Sequence, residues 1–150
     1  MQKGFRVAQN AKTPSYFCQK DFIGIGGDLK NILMHLGARW NESIRYCLHK
    51  SPQDFLHIML IYHPYPKLIK EQIFENTDSY YLLLKGVFEL ENLISKEVIL
   101  LRADDVFIVK IAQKVPYQMR IISQDLLFLE VRGINEELQC CKPKKIYRSD

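Results

Sequence analysis

Nothing in this 150-residue sequence approaches the run of roughly 18 consecutive apolar residues that a membrane-spanning helix needs. The opening stretch MQKGFRVAQNAKTPSYF also lacks the apolar core of a secretory signal. Cysteine is sparse and badly spaced for cross-linking. Cys18, Cys47, Cys140 and Cys141 form no Cys-x-x-Cys pair, and the last two are adjacent, which suits neither a disulfide framework nor a zinc site. A reduced, cytoplasmic setting without a membrane partner is therefore expected. Strong charge of one sign is missing as well. The net charge is +4, and Lys142, Lys144, Lys145 and Arg148 supply much of it from the C-terminal stretch, so the body of the chain is close to neutral. No Arg- and aromatic-rich motif accompanies that tail, and a nucleic-acid partner is not expected. Internal repeats and low-complexity segments are absent too.

What is present is an ordinary globular composition, 47% hydrophobic and 25% charged, on a chain long enough for one domain with a real core. Residues 1–23 carry no clear period and read as an arm packed on something else. Gly24, Gly26 and Gly27 lead into Asp28, a good N-cap residue, and Leu29, Ile32, Leu33 and Leu36 follow at helical spacing up to Gly37. The glycine run lacks the preceding strand and the Lys-Ser/Thr of a phosphate loop, so it reads as a helix start. From residue 55 onward the chain turns to strands: 55–62, 79–92, 96–101, 105–112, 116–123 and 125–133, all rich in β-branched and aromatic residues. Short strands with turns about every ten residues predict a mainly β, antiparallel jelly-roll barrel behind an N-terminal helical segment. The expected division is an arm and helix over 1–54, the barrel over 55–133 and a basic tail over 134–150. The 55–62 strand is apolar on both faces, so each face needs cover from the N-terminal arm or from a second subunit.

The segment PKLIKEQIFENTDSYYLLLKG, Pro66 to Gly86, has the spacing of the first motif of cupin barrels, Gly-x5-His-x-His-x4-Glu-x6-Gly. In that register the histidines are Gln72 and Phe74, the glutamate is Ser79, and only Gly86 matches. The segment RYCLHKSPQD, Arg45 to Asp54, with His57 and Met59 after it, resembles the stretch before the barrel in the WbuC family of small cupins. The helix ahead of it and the closing Phe128-Leu129-Glu130-Val131 also sit where that family has a helix and a last strand, so the likeness runs over about residues 28–133. Its late-barrel histidine falls on Tyr117. The resemblance implies a cytoplasmic cupin, commonly a homodimer, tied to bacterial surface-polysaccharide (O-antigen or capsule) sugar metabolism, with a small polar molecule or a nucleotide-sugar as ligand.

A transition metal needs imidazole, carboxylate or thiolate donors converging on one point, and none of Gln72, Phe74, Ser79 and Tyr117 is such a donor. Rebuilding a site elsewhere is not expected: His57 and His63, on one strand face, lie about 20 Å apart, and His35 sits on the helix. No metal and no other cofactor is expected. Near the barrel mouth the residues with useful chemistry are Tyr117, His49, Arg45, Glu71 and Asp78. Tyr117 or His49 could act as acid or base, and Arg45 could grip a phosphate or carboxylate. Tyr117 and Phe74 could equally fill the space a metal once held. Arg45 and His49 could equally anchor the pre-barrel segment, and Cys47 reads as a buried structural thiol. The expected ligand-binding set is thus Arg45, His49, Gln72, Phe74, Ser79 and Tyr117. The leading expectation is a metal-free small-molecule-binding or accessory protein. The alternatives are a metal-independent sugar isomerase or epimerase using Tyr117 or His49, and a partner-binding regulatory subunit.

Overall fold

The structure, a computed structural model, describes residues 4–8, 11–21 and 23–134. The basic tail, Cys140 and Cys141 lie outside the described residues.

Among the described residues, eleven strands and one helix follow one another along the chain. They are β1 (Phe5–Val7), β2 (Ser15–Cys18), α1 (Gly27–Trp40), β3 (Ile44–Cys47), β4 (Leu56–His63), β5 (Lys67–Gln72), β6 (Thr77–Lys85), β7 (Val87–Asn92), β8 (Val98–Arg102), β9 (Ile108–Ile111), β10 (Tyr117–Ile121) and β11 (Leu126–Ile134). One sheet runs β1-β2-β3-β4-β11-β6-β9 and the other β5-β10-β7-β8. Every pairing is antiparallel except β2 with β3. The two sheets face each other across a core of Met59, Ile61, Tyr81, Phe88, Met119 and Phe128 with their neighbours. The jelly roll is thus a sandwich of two open sheets rather than a closed barrel.

Alternation explains which residues enter that core. On β4, Met59 and Ile61 face the second sheet, while Leu60 and Tyr62 face outward into a separate apolar cluster. There they meet Leu29 and Leu33 of α1, Ile44 and Tyr46 of β3, and Phe5 and Cys18 of the N-terminal strands. The outer face of the doubly apolar strand is therefore covered from within the chain. The N-terminal segment expected as an arm does this by joining the sheet, so the sandwich includes strands well before residue 55.

Three local expectations are corrected. The helix is capped at Gly26 with no side-chain hydrogen bond, and Asp28 stands in its first turn instead. Gly37 does not end the helix. It is an interior residue where α1 comes down on the Tyr62 ring, and Asn41, in the left-handed region at φ 51°, closes the C-terminus. The 79–92 stretch is two strands in different sheets. Gly86, at φ +95°, makes the crossing between them, and an added Cβ there would stand 2.5 Å from the Ser123 Oγ. The one position matching the cupin motif is thus a position where the backbone requires glycine.

Candidate functional site

Between the sheets lies a cavity of about 60 Å³ lined by Arg45, Ile61, His63, Ile69, Gln72, Phe74, Tyr81, Tyr117, Met119, Phe128, Glu130 and Arg132. Strand pairing brings Tyr117 of β10 opposite Gln72 of β5. Phe74 lies just beyond β5, its carbonyl accepting from the Lys114 N–H at 2.7 Å and its ring 6.4 Å from that of Tyr117. Ser79 faces inward from β6, two residues before Tyr81, 1% exposed and with its Oγ unpartnered, but it does not line the cavity. The four motif positions thus point into one interior, three of them into one cavity.

Sequence reasoning did not assign a site role to four residues that shape this cavity. Glu130 and Arg132 are ion-paired across 2.6 Å, and the Arg132 guanidinium also rests 4.2 Å above the Phe74 ring centre. Tyr81 donates to Glu130 at 3.2 Å, and its hydroxyl lies 2.6 Å from that of Tyr117. Burial pushes the Tyr117 phenol up to about 12 and the Tyr81 phenol well above its ordinary value, with the Glu130 charge adding to both. Both are therefore neutral hydrogen-bonding groups at physiological pH. A signal for Glu130 and Arg132 existed: both share the strand parity of Phe128, so a charged pair had to face a core.

His63 is the fourth. It is 5% exposed, with its ring stacked on Phe128 at 5.8 Å. The Lys67 ammonium donates to Ser43 Oγ at 2.6 Å, and His63 Nδ1, also 2.6 Å from that oxygen, is the acceptor open to the Ser43 proton among the described hydrogen bonds. Nδ1 is then an acceptor and the neutral ring carries its proton on Nε2. Burial, with the charges of Lys67 and Arg45, pushes this imidazole down to about 3.

Arg45 lines the cavity from β3, and its buried Nε has no hydrogen-bond partner. His49 does not join it. Its ring is stacked on His57 at 4.3 Å and edge-on to Phe17 at 5.4 Å. Its Nδ1 meets the Ile58 backbone, and it borders a separate outer groove with Lys20 and Asp54. Burial and His57 push its imidazole down. The two proposed acid/base residues, Tyr117 and His49, are therefore in different places. Glu71 is exposed on β5, and Asp78 is ion-paired with Lys110 at 2.7 Å on the outside. Cys47 is buried among apolar groups, and burial pushes its thiol up to about 11, which leaves it a weak nucleophile.

A metal does not fit this donor set. The motif positions offer an amide, a benzene ring, a hydroxyl and a hydrogen-bonded phenol, and two guanidinium groups line the same space. Among the described residues, no three His, Cys, Asp or Glu side chains gather into a metal-binding group. No described helix is long and apolar enough to cross a membrane.

Known structures place this architecture in the cupin fold. A cupin superfamily protein from Desulfitobacterium hafniense superposes with a TM-score of 0.53 at 18% identity, over 63% of this chain and 80% of that one. KdgF from Halomonas sp. gives 0.52 at 13% identity, over 65% and 84%. The cupin domain of an XRE family transcriptional regulator from Enterobacter cloacae gives 0.50 at 19% identity, over 62% and 97%. Likeness at these identities is one of fold alone. No protein-family model and no curated protein matches the chain.

The Tyr81–Tyr117 pair yields a first prediction. Tyr117→Phe removes one hydroxyl but leaves Tyr81 donating to Glu130, so no buried donor is stranded. The variant should lose about 1 kcal/mol in urea unfolding and keep its fold. A loss several times larger would show that the phenol holds the interior together.

Proposed function

We propose that this chain is a metal-free cupin of the WbuC type that binds a small polar molecule between its sheets. It would act as an accessory protein in surface-polysaccharide sugar metabolism. The observation that carries the binding reading is the cavity: a core at this density should be filled, yet here a pocket remains and Arg45, Gln72 and Tyr117 border it. The WbuC reading is supported by how the RYCLHKSPQD segment is used. Arg45 reaches the cavity, His49 packs on His57, and the Asp54 carboxylate accepts from the Lys50 N–H at 2.8 Å and from the Ser51 hydroxyl at 2.9 Å, closing the turn into β4.

The size of the cavity restricts the ligand. About 60 Å³ is room for roughly four waters or a small polar headgroup, and not for a whole nucleotide-sugar. The chemistry favours binding over turnover. Tyr117 is a neutral phenol tied to Tyr81, and His49 opens on another groove, so neither faces the cavity as a free base.

Titrating ¹³C-tyrosine-labelled protein with monosaccharides, small organic acids and nucleotide-sugars tests the reading. Saturable shifts at Tyr81 and Tyr117 from a small polar molecule are expected, and Ile69→Phe, which narrows the cavity, should abolish them. If no compound moves those signals, the cavity is not a binding site and the proposal fails.

A further inference from the structure

The charges facing the cavity do not cancel. Arg132 has its counterion in Glu130, 2.6 Å away, so that pair is neutral as a unit. Arg45 forms no ion pair among the described residues, and its Nε is buried without a hydrogen-bond partner. That orphaned Nε–H carries a desolvation cost of about 1–3 kcal/mol, which a pure packing role would not repay. The cavity therefore presents one uncompensated positive charge.

The remaining donors are set by the same geometry. Lys67 donates to Ser43 Oγ, and the arrangement that gives the Ser43 proton an acceptor among the described hydrogen bonds has it donating to His63 Nδ1, which leaves the Nε2–H on a ring that lines the cavity. Lys67 itself borders a different, outer pocket with Ser43 and Tyr65, so its charge adds a positive field from behind without supplying a contact.

We propose that the cavity is a carboxylate site, with the Arg45 fork as its grip and the His63 imidazole as a second donor. This rests on the small-molecule reading above and narrows it to one ligand class. A planar carboxylate matches the guanidinium in bidentate fashion, and a single negative charge balances the single open positive one. A phosphate dianion is bulkier and would bring its second charge beside Glu130. The size of the cavity limits the occupant to the carboxylate and one or two carbons, so the ligand is a small monocarboxylic acid or the acid end of a larger molecule.

Calorimetric titration with sodium acetate, sodium pyruvate, inorganic phosphate and methyl glucoside separates the cases, followed in parallel by the Arg45 Nε–H resonance of ¹⁵N-labelled protein. Acetate or pyruvate should bind saturably, move that resonance, and bind at least tenfold more weakly to Arg45→Met. Phosphate should bind at least tenfold more weakly than the carboxylate. Arg45→Met retains the length of the side chain and removes a buried Nε–H that has no partner, so it should fold. Should it fail to, the Nε–H shift in the unaltered protein answers the same question. Equal affinity of Arg45→Met, or phosphate outcompeting acetate, overturns the carboxylate assignment. Methyl glucoside binding at Tyr81 and Tyr117 with the Arg45 signal unmoved ends this assignment and leaves the small-molecule reading standing. Silence from every probe at both tyrosines and Arg45 ends both.

Discussion

Lowering the pH from 6.5 to 4 should cost this protein about 3 kcal/mol of stability through His63 alone, and His63→Asn should lose most of that dependence. The imidazole is 5% exposed and flanked by Lys67 and Arg45, so a proton on it would place a third positive charge in a space with no free carboxylate. Its pKa is about 3 folded against 6.5 unfolded. A depressed pKa means that the unfolded chain takes up the proton first as the pH falls, and stability falls with it. The contribution is intact above pH 6.5 and is lost progressively toward pH 3. About 3 kcal/mol is a large part of the 5–15 kcal/mol typical of a domain, so the midpoint of urea unfolding should move visibly. His49 is depressed too and acts in the same direction, which is why the variant matters. Asn at 63 presents an oxygen near the Nδ1 position, so Ser43 keeps its acceptor while the titrating group is gone. A pH profile of His63→Asn parallel to that of the unaltered protein would show that the imidazole is not held neutral.

The difference between what was legible in the sequence and what was not follows from which interactions each element depends on. β4, β10 and β11 carry their own pattern: β4 and β11 are long, mostly apolar runs, and β10 alternates apolar with polar residues. β1, β2 and β3 are three or four residues long, too short for a period to register, and they are strands only because neighbours pair with them. β5, KLIKEQ, is largely exposed and polar and reads as a loop until β10 is laid beside it. The candidate site divides in the same way. Gln72, Phe74, Ser79 and Tyr117 were found because their spacing follows a motif, and their convergence is what that spacing requires. Glu130, Arg132, Tyr81 and His63 lie on strands whose apolar neighbours dominate the pattern, and the Lys67–Ser43–His63 chain joins three residues that no local spacing relates. Its existence depends on β4 and β5 turning back at Pro64, Tyr65 and Pro66 so that Lys67 and His63 both reach Ser43. His49 shows the reverse error. Four residues after Arg45, it is held by its stack on His57 at the opposite end of β4 from His63.

Replacing Gly37 by alanine should destabilise the protein by about 3 kcal/mol, although helix propensity alone favours alanine there by about 1 kcal/mol. The residue lies inside α1, where glycine is a poor helix former and no left-handed φ demands it. Its reason is the approach of the helix to the sheet. A Cβ at 37 would stand 2.1 Å from two carbons of the Tyr62 ring, far inside van der Waals contact, with the Glu42 carbonyl oxygen at 3.3 Å on the other side. The ring cannot swing clear. Tyr62 is fully buried, and its hydroxyl donates to the Asp125 carboxylate, which holds the far end of the side chain. The helix must therefore lift, and lifting it opens the cluster of Leu29, Leu33, Leu60 and Leu127 that covers the outer face of β4. His63 is the next residue along that strand, so the displacement would also reach the Ser43 hydrogen bond and the cavity behind it. The sign of the effect can be reversed by design. In a Tyr62→Leu background the ring is gone, and Gly37→Ala should become neutral or stabilising by up to about 1 kcal/mol as helix propensity takes over. Chemical unfolding of the two single variants and the double variant measures that coupling directly. A single Gly37→Ala variant that is more stable than the parent would mean that α1 does not pack on Tyr62 as described, and the outer face of β4 would then need a different cover.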